Sequence, residues 1–63
     1  MKVKIKTYNG SLADYLSLDK VYDVAIIYDD TLMTIVNDEG GCSTILIPEC
    51  AHLNGGSWEI VND

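Results

Sequence analysis

Two clusters of turn-forming residues divide residues 21–48 into three short apolar runs, and this division constrains the fold more than any other feature. Asp29-Asp30 forms the first cluster, and residues 37–41 (Asn-Asp-Glu-Gly-Gly) form the second. The second cluster supplies the glycine that a short hairpin loop needs at a positive φ. The intervening runs are rich in β-branched residues, which favour strands. The pattern therefore predicts three consecutive antiparallel strands, over residues 20–28, 32–36 and 42–47.

A further strand is predicted near each end of the chain, over residues 2–8 and 58–61. In the first, lysines alternate with apolar residues, so one face would be apolar and the other solvated. Five short strands joined by tight turns favour a small, strongly bent antiparallel sheet whose first and last strands pair. That pairing would bring the N-terminal lysines close to Glu59 and Asp63. The length of 63 residues is enough for one domain, over residues 1–63.

The strand over residues 20–28 is largely apolar on both faces, which predicts a central position in the sheet. A side-chain period of two puts alternate residues on one face. By this rule one face carries Tyr22, Val24, Ile26 and Tyr28. Tyr22 is expected in the core together with Trp58.

Two connections have structure of their own in this interpretation. Residues 11–17 are either a short helix, with Ser11 as its cap, or a loop held down by Leu12 and Leu16. Residues 48–53 are predicted to form one helical turn of the 3₁₀ type, with Leu53 filling the core.

Lysines and acidic residues are segregated along the chain, whose formal net charge is −6. All four lysines lie in the first 20 residues, which also hold two aspartates, so this segment has a net charge of 4 − 2 = +2. The other 43 residues hold eight acidic residues and no Lys or Arg, so their net charge is −8. A phosphate-binding surface needs clustered Lys and Arg, so nucleic acid is disfavoured as a partner. The longest apolar run has five residues, against roughly 20 for a membrane span, and the N-terminus lacks a signal-peptide pattern. We therefore expect a cytoplasmic protein without membrane contact, in a reducing compartment.

Cys42, Cys50 and His52 are the only soft metal ligands. Structural zinc takes four ligands at characteristic spacings, and three at most are available here. A Cys/His nucleophilic pair needs an activated thiolate beside a base and an oxyanion hole, for which this chain offers no substantial cleft. The sequence therefore predicts no metal site, no cofactor and no catalytic residue, with both thiols buried or half-buried. The role of these three residues stays open.

Three segments carry a resemblance to a known family: Leu-Ser-Leu-Asp-Lys-Val-Tyr-Asp-Val at 16–24, Met-Thr-Ile-Val-Asn-Asp-Glu-Gly at 33–40, and Ile47-Pro48. Together they resemble small SH3-like barrel proteins encoded by bacteriophages. Asp19 stands where that family usually has Gly, and Met33 where it usually has an aromatic residue. The resemblance implies a mainly β protein, a five-stranded antiparallel SH3-like barrel with a 3₁₀ turn before the last strand, and a phage source. It implies no target, because one fold hosts many functions.

The acidic residues cluster near the predicted turns, close to an exposed aromatic side chain. They form either a solvated rim that keeps the protein soluble or a patch that docks on a basic partner. Aromatic side chains beside polar groups are typical of binding surfaces. The candidate protein-binding residues are Asp23, Tyr28, Asp29, Asp30, Asp38, Glu39 and Glu49.

These features favour a non-enzymatic protein–protein interaction module. The hypothesis is a phage accessory protein that inhibits or recruits a host or phage protein with a basic surface. One alternative is a homo-oligomeric assembly protein, a homodimer for example, built by strand-edge pairing, since a partner adds buried area to a small domain. A weaker alternative is a nucleic-acid-associated barrel that uses Lys2, Lys4 and Lys6.

Overall fold

The computed structural model describes residues 1–61 and has five strands in one antiparallel sheet. The strands are β1 (Lys2–Thr7), β2 (Val21–Ile27), β3 (Leu32–Val36), β4 (Cys42–Leu46) and β5 (Ser57–Val61), with a 3₁₀ turn at Ala51–Leu53 before β5. Their order across the sheet is β4-β3-β2-β1-β5. The predictions of a mainly β fold, a central β2, paired first and last strands and a 3₁₀ turn before the last strand are confirmed.

Lysines of β1 pair with acidic residues on both neighbouring strands. Lys4 lies directly opposite Glu59 on β5, with Nζ 3.4 Å from Oε1. Lys2 lies opposite Asp23 on β2, with Nζ 3.9 Å from Oδ1. Exposed pairs of this kind contribute about 0.2–1 kcal/mol each. The predicted proximity to Glu59 is confirmed, whereas Asp63 lies outside the described residues.

Residues 11–17 form a turn-containing loop, so the loop alternative is confirmed and the short helix is wrong. The amide of Leu16 donates to the carbonyl of Ala13 at 3.1 Å, which closes a single turn. A helix this short cannot sustain itself, and burial of Leu16 with partial burial of Leu12 holds the segment instead. Among residues 1–61 we find no helix with the length and apolar character needed to cross a bilayer.

A β-bulge interrupts the alternation of side chains along β2. Val24 lies opposite Ile35 of β3, but Ile26 lies opposite Thr34, so Ala25 is an extra residue. Val24 therefore faces the core side with Ile35, and Ile26 faces the other way. The prediction that Val24 and Ile26 share a face is wrong, because a period-two pattern cannot reveal an inserted residue.

The core lies on one side of the sheet, where the buried side chains of all five strands meet. Tyr22 and Trp58 are both buried there, as predicted, and their rings meet edge to face with centroids 5.9 Å apart. Leu53 reaches the same core from the 3₁₀ turn and is fully buried, also as predicted. The complete buried apolar set is Val3, Ile5, Leu16, Tyr22, Met33, Ile35, Ile45, Cys50, Leu53 and Trp58.

The chain after β4 turns back onto β5. The amide of Trp58 donates to the carbonyl of Ile47 at 2.8 Å, and the amide of Cys50 donates to the carbonyl of Gly56 at 2.8 Å. These bonds fix the start of β5 beside the segment that carries the 3₁₀ turn.

The predicted turn at 37–41 connects β3 to β4. The amide of Asn37 donates to the carbonyl of Gly41 at 2.8 Å, and the side-chain Oδ1 of Asn37 accepts from the amides of Glu39 and Gly41. Gly40 has φ +79°, the conformation for which a glycine is needed. Asp19, which stands where the resembled family usually has Gly, also has a positive φ, +66°.

Candidate functional site

Beyond Asp23 of β2, the face of β2, β3 and β4 that points away from the core carries no charged side chain. Leu32, Thr34 and Val36 alternate with the buried residues of β3, and each lies opposite a residue of β4. On β2, Ile26 lies opposite Thr34, and the amide of Tyr28 donates to the carbonyl of Leu32. We call this surface the outer face; its residues are Ile26, Tyr28, Leu32, Thr34, Val36, Cys42, Thr44 and Leu46.

The outer face is exposed despite being apolar. Tyr28 is 55% exposed, Ile26 49% and Leu46 44%. An antiparallel sheet with one solvated face normally presents polar side chains there. Contiguous exposed apolar surface on a small domain marks an interaction site. The outer face is therefore the best candidate for a functional site.

Hydroxyl groups fix the position of Tyr28 on this face. Thr34 donates through Oγ1 to the Tyr28 hydroxyl at 3.2 Å, and the hydroxyls of Thr34 and Thr44 lie 3.1 Å apart. Thr34 is only 4% exposed, although it points outward. The aromatic ring is thus held over the centre of the face in one orientation.

Acidic residues stand at the Tyr28 end of the outer face. Asp29 and Asp30 follow Tyr28 directly, and both are exposed. Oδ1 of Asp29 accepts from the amide of Thr31 at 2.8 Å, its hydroxyl at 3.0 Å and the amide of Leu32 at 2.9 Å. These bonds, first of all that from the Thr31 amide, lower the pKa of Asp29. Asp29 therefore fixes the turn and stays ionised at neutral pH.

The seven residues predicted to bind a partner do not converge on one patch. Tyr28, Asp29 and Asp30 lie together at one end of β3. Asp38 and Glu39 lie at its other end, about 13 Å away for a strand of this length. Two more are elsewhere: Asp23 pairs with Lys2 beside β1, and Glu49 follows β4.

Asp38 belongs to a network that holds the loop before β2. Its Oδ1 lies 2.7 Å from Nζ of Lys20 and accepts from the hydroxyl of Tyr22 at 2.9 Å. Its Oδ2 accepts from the hydroxyl of Ser17 at 2.6 Å. The Asp38 side chain is only 19% exposed. The network ties residues 17–22 to the β3–β4 turn.

We expect Asp38→Asn to destabilise the protein at pH 7 and to reduce the effect of acid on its stability. The bond from Lys20, then that from Ser17, holds the pKa of Asp38 below its usual value near 3.8. A lowered folded-state pKa gives stability that is present above the unfolded-state pKa and lost as pH falls through the folded value. Urea midpoints measured from pH 7 to below pH 4 should therefore fall less in the variant than in the wild type.

The exposed Asp14 provides the matched control for this experiment. Asp14→Asn makes the same change in charge, and the urea midpoint at pH 7 should stay near that of the wild type. Equal loss of stability on acidification in the wild type and in Asp38→Asn would contradict the role of this network.

His52 and the two cysteines have separate environments. Cys50 is buried as predicted, but Cys42 is exposed on the outer face, so the prediction of a buried or half-buried thiol is wrong there. Nε2 of His52 lies 3.0 Å from the carbonyl oxygen of Thr44, and Nδ1 lies 2.6 Å from the hydroxyl of Tyr15. Because a carbonyl only accepts, Nε2 is the donor in the bond to Thr44. His52 thereby fastens the 3₁₀ turn to β4.

No pocket is present in the part of the chain that the structure describes. Among the same residues no three histidine, cysteine or acidic side chains come together as metal ligands.

Sequence reasoning missed the apolar members of the outer face, of which Ile26 and Leu46 are the most exposed besides Tyr28. A signal was available in β3 and β4, where Leu32, Val36 and Leu46 stand at positions that alternate with the core residues. When apolar residues occupy both the inward and the outward positions of an antiparallel strand, both faces of the sheet are expected to pack against something.

No family model, no curated protein and no solved structure matches this chain. The function is therefore inferred from the surface geometry.

Proposed function

We propose that the protein is a non-enzymatic protein–protein interaction module that binds its partner through the outer face. The observation that carries this proposal is the exposure of three large apolar side chains, Ile26, Tyr28 and Leu46, on one face of the sheet. The centre of a protein interface is depleted in charge and enriched in aromatic residues, and this face has that composition.

The charge around the outer face favours a partner with a basic rim. Residues 21–63 contain no Lys or Arg, and Asp29, Asp30 and Glu49 are exposed close to β3 and β4. Three of the four lysines pair with Asp23, Glu59 and Asp38. An acidic rim accelerates encounter with a basic surface and excludes acidic ones. The partner is a host or phage protein in this proposal, and binding inhibits or recruits it.

An SH3-like barrel and a phage source are part of the same proposal. The bond from the Trp58 amide to the Ile47 carbonyl brings β5 beside the end of β4, as closure of a barrel requires. The positive φ of Asp19, at a position usually occupied by Gly in the resembled proteins, also supports this assignment. The phage source and the cytoplasmic location rest on the sequence features alone.

Self-association is the second candidate, and the position of β5 at one end of the sheet favours it. Among residues 1–61, β1 is the only strand that pairs with β5 in the sheet, and a strand edge without a partner is a template for another chain. A net charge of −6 on each copy opposes it. Light scattering over a range of concentrations distinguishes the two: a strict monomer removes this candidate.

The proposed binding face is tested by affinity capture with a double variant, Ile26→Ser with Leu46→Ser. We expect a protein captured by the wild type to be lost with this variant, and to be released as salt concentration rises. Ile60→Ser is the matched control, because Ile60 is also 44% exposed but lies on β5, opposite Val3 of β1. Circular dichroism verifies that each variant is folded.

Two results would contradict the proposal. One is capture of the same protein by the folded double variant at the wild-type level. The other is the absence of any protein that distinguishes the wild type from the double variant.

A further inference from the structure

The middle carbonyl on the edge of β4 is already bonded, which limits how a partner can bind. Main-chain groups of residues 41 and 47 bond toward β3 and its turns, so by alternation those of Thr44 point away from β3. The Thr44 carbonyl is bonded by His52, and the Ile47 carbonyl by the amide of Trp58. A peptide that added a strand to β4 would need the Thr44 carbonyl. Strand addition along β4 is therefore disfavoured, and the outer face is the surface that a partner can cover.

The dimensions of the outer face match one α-helix. Three strands spaced about 4.8 Å apart span about 10 Å, and five residues of β3 span about 13 Å. An α-helix with its side chains is about 10–12 Å wide, and two to three turns are about 11–16 Å long. Domains commonly cover the apolar face of an antiparallel sheet with a helix, and residues 1–61 of this chain supply none for the outer face.

Tyr28 is suited to be the central contact for such a helix. Its hydroxyl is bonded by Thr34, so the ring loses little freedom when a partner covers it. Tyrosines in this position are frequent hot spots of binding energy. The carboxylates of Asp29 and Asp30 follow in the chain, where basic side chains of the helix would meet them.

We propose that the outer face binds an amphipathic helix of the partner protein, with Lys or Arg beside its apolar stripe. This inference rests on the proposed function and adds which structural element of the partner binds. A second copy of this chain does not meet the requirement, because residues 1–61 contain no α-helix and two copies of charge −6 repel.

The experiment uses three synthetic peptides of about 18 residues, long enough for several helical turns. All share one apolar stripe; the first has Lys and Arg flanks, the second Glu flanks, and the third basic flanks with a central proline. Binding to the full chain is measured by fluorescence anisotropy, and the contact surface by amide chemical-shift changes. We expect the first peptide to bind about tenfold or more tighter than the other two, with weaker binding at high salt.

Protein variants locate the contact. Tyr28→Ala should weaken binding of the first peptide about tenfold, and Tyr28→Phe, which keeps the ring but removes the bond from Thr34, should weaken it less. Tyr8→Ala is the control, because Tyr8 is also exposed but follows β1. Shift changes should centre on Ile26, Tyr28 and Leu46.

Each contrary result overturns one part of the proposal, either the helix or its basic flanks. Equal binding of the proline-containing peptide overturns the helix, and equal binding of the Glu-flanked peptide overturns the basic flanks. Absence of binding by all three overturns the helix inference. In that case the capture experiment with the Ile26/Leu46 double variant still decides the proposed function separately.

Discussion

Replacing Gly56 with alanine is expected to remove a large part of the protein's stability. A Cβ at this position would overlap the carbonyl oxygen of Thr7 and lie 2.7 Å from both the Thr7 carbonyl carbon and the Tyr8 Cα. All three atoms belong to the backbone, so no side-chain rotation relieves the overlap. Overpacking costs about 1–3 kcal/mol and more where backbone must move, and we expect roughly 4 kcal/mol here. A chain of this length has a total stability of about 3–9 kcal/mol.

Gly41→Ala is the matched control for this prediction. A Cβ at Gly41 would meet only side-chain atoms of Asn37 at 3.6 Å or beyond, which is ordinary contact. Its φ lies outside the left-handed region, so the change in stability should stay within about 1 kcal/mol. Urea unfolding followed by Trp58 fluorescence measures both variants. A Gly56→Ala protein as stable as Gly41→Ala would show that the approach of β1 to Gly56 is not required.

Leu53→Ala is expected to lower the free energy of unfolding by about 2–5 kcal/mol. Leu53 is fully buried, and it is the one core side chain supplied by the 3₁₀ turn. Its truncation leaves a cavity between the turn and the sheet. Its carbonyl also accepts from the amides of Asn9 and Gly56, so loosening of the turn should spread to the connection after β1.

Thermal or urea unfolding of Leu18→Ala provides the comparison for Leu53→Ala. Leu18 is 48% exposed, and the same truncation there should change stability by about 0.5 kcal/mol or less. If the two leucines gave equal effects, the 3₁₀ turn would not be part of the cooperative core.

The outer face depends on the bulge at Ala25. Without the extra residue, Ile26 would continue the alternation of Tyr22 and Val24 and would point to the core side. The bulge turns Ile26 outward, beside Thr34 and next to Tyr28. Bulges commonly reposition side chains at functional sites. The extra residue Ala25 thus interrupts the regular alternation of β2 and, by doing so, places Ile26 on the outer face.

Local sequence determined the elements and the hairpins that join β2, β3 and β4. The Asn37–Gly41 turn, the alternation in β1 and the two apolar faces of β2 specify hairpins, a central strand and a solvated lysine row, because each depends on neighbours in the chain. The same is true of Leu53, whose place in a short turn after Pro48 predicted its burial. Residues 11–17 were ambiguous, because a segment this short takes its conformation from what it packs against.

Only the tertiary structure decided which of these residues meet. Asp38 and Asp29 look alike in sequence, yet Asp38 is bonded to Lys20, Tyr22 and Ser17, while Asp29 fixes its own turn. In the sequence Gly56 looks like an ordinary turn glycine. In the structure glycine is required there because the backbone of Thr7, 49 positions earlier, leaves no room for a Cβ. The outer face likewise combines three strands through their register. Pairing between segments that are distant in the chain sets these contacts. The alternation of apolar and polar residues along one strand reveals neither an inserted bulge residue nor the partner that covers a face of the sheet.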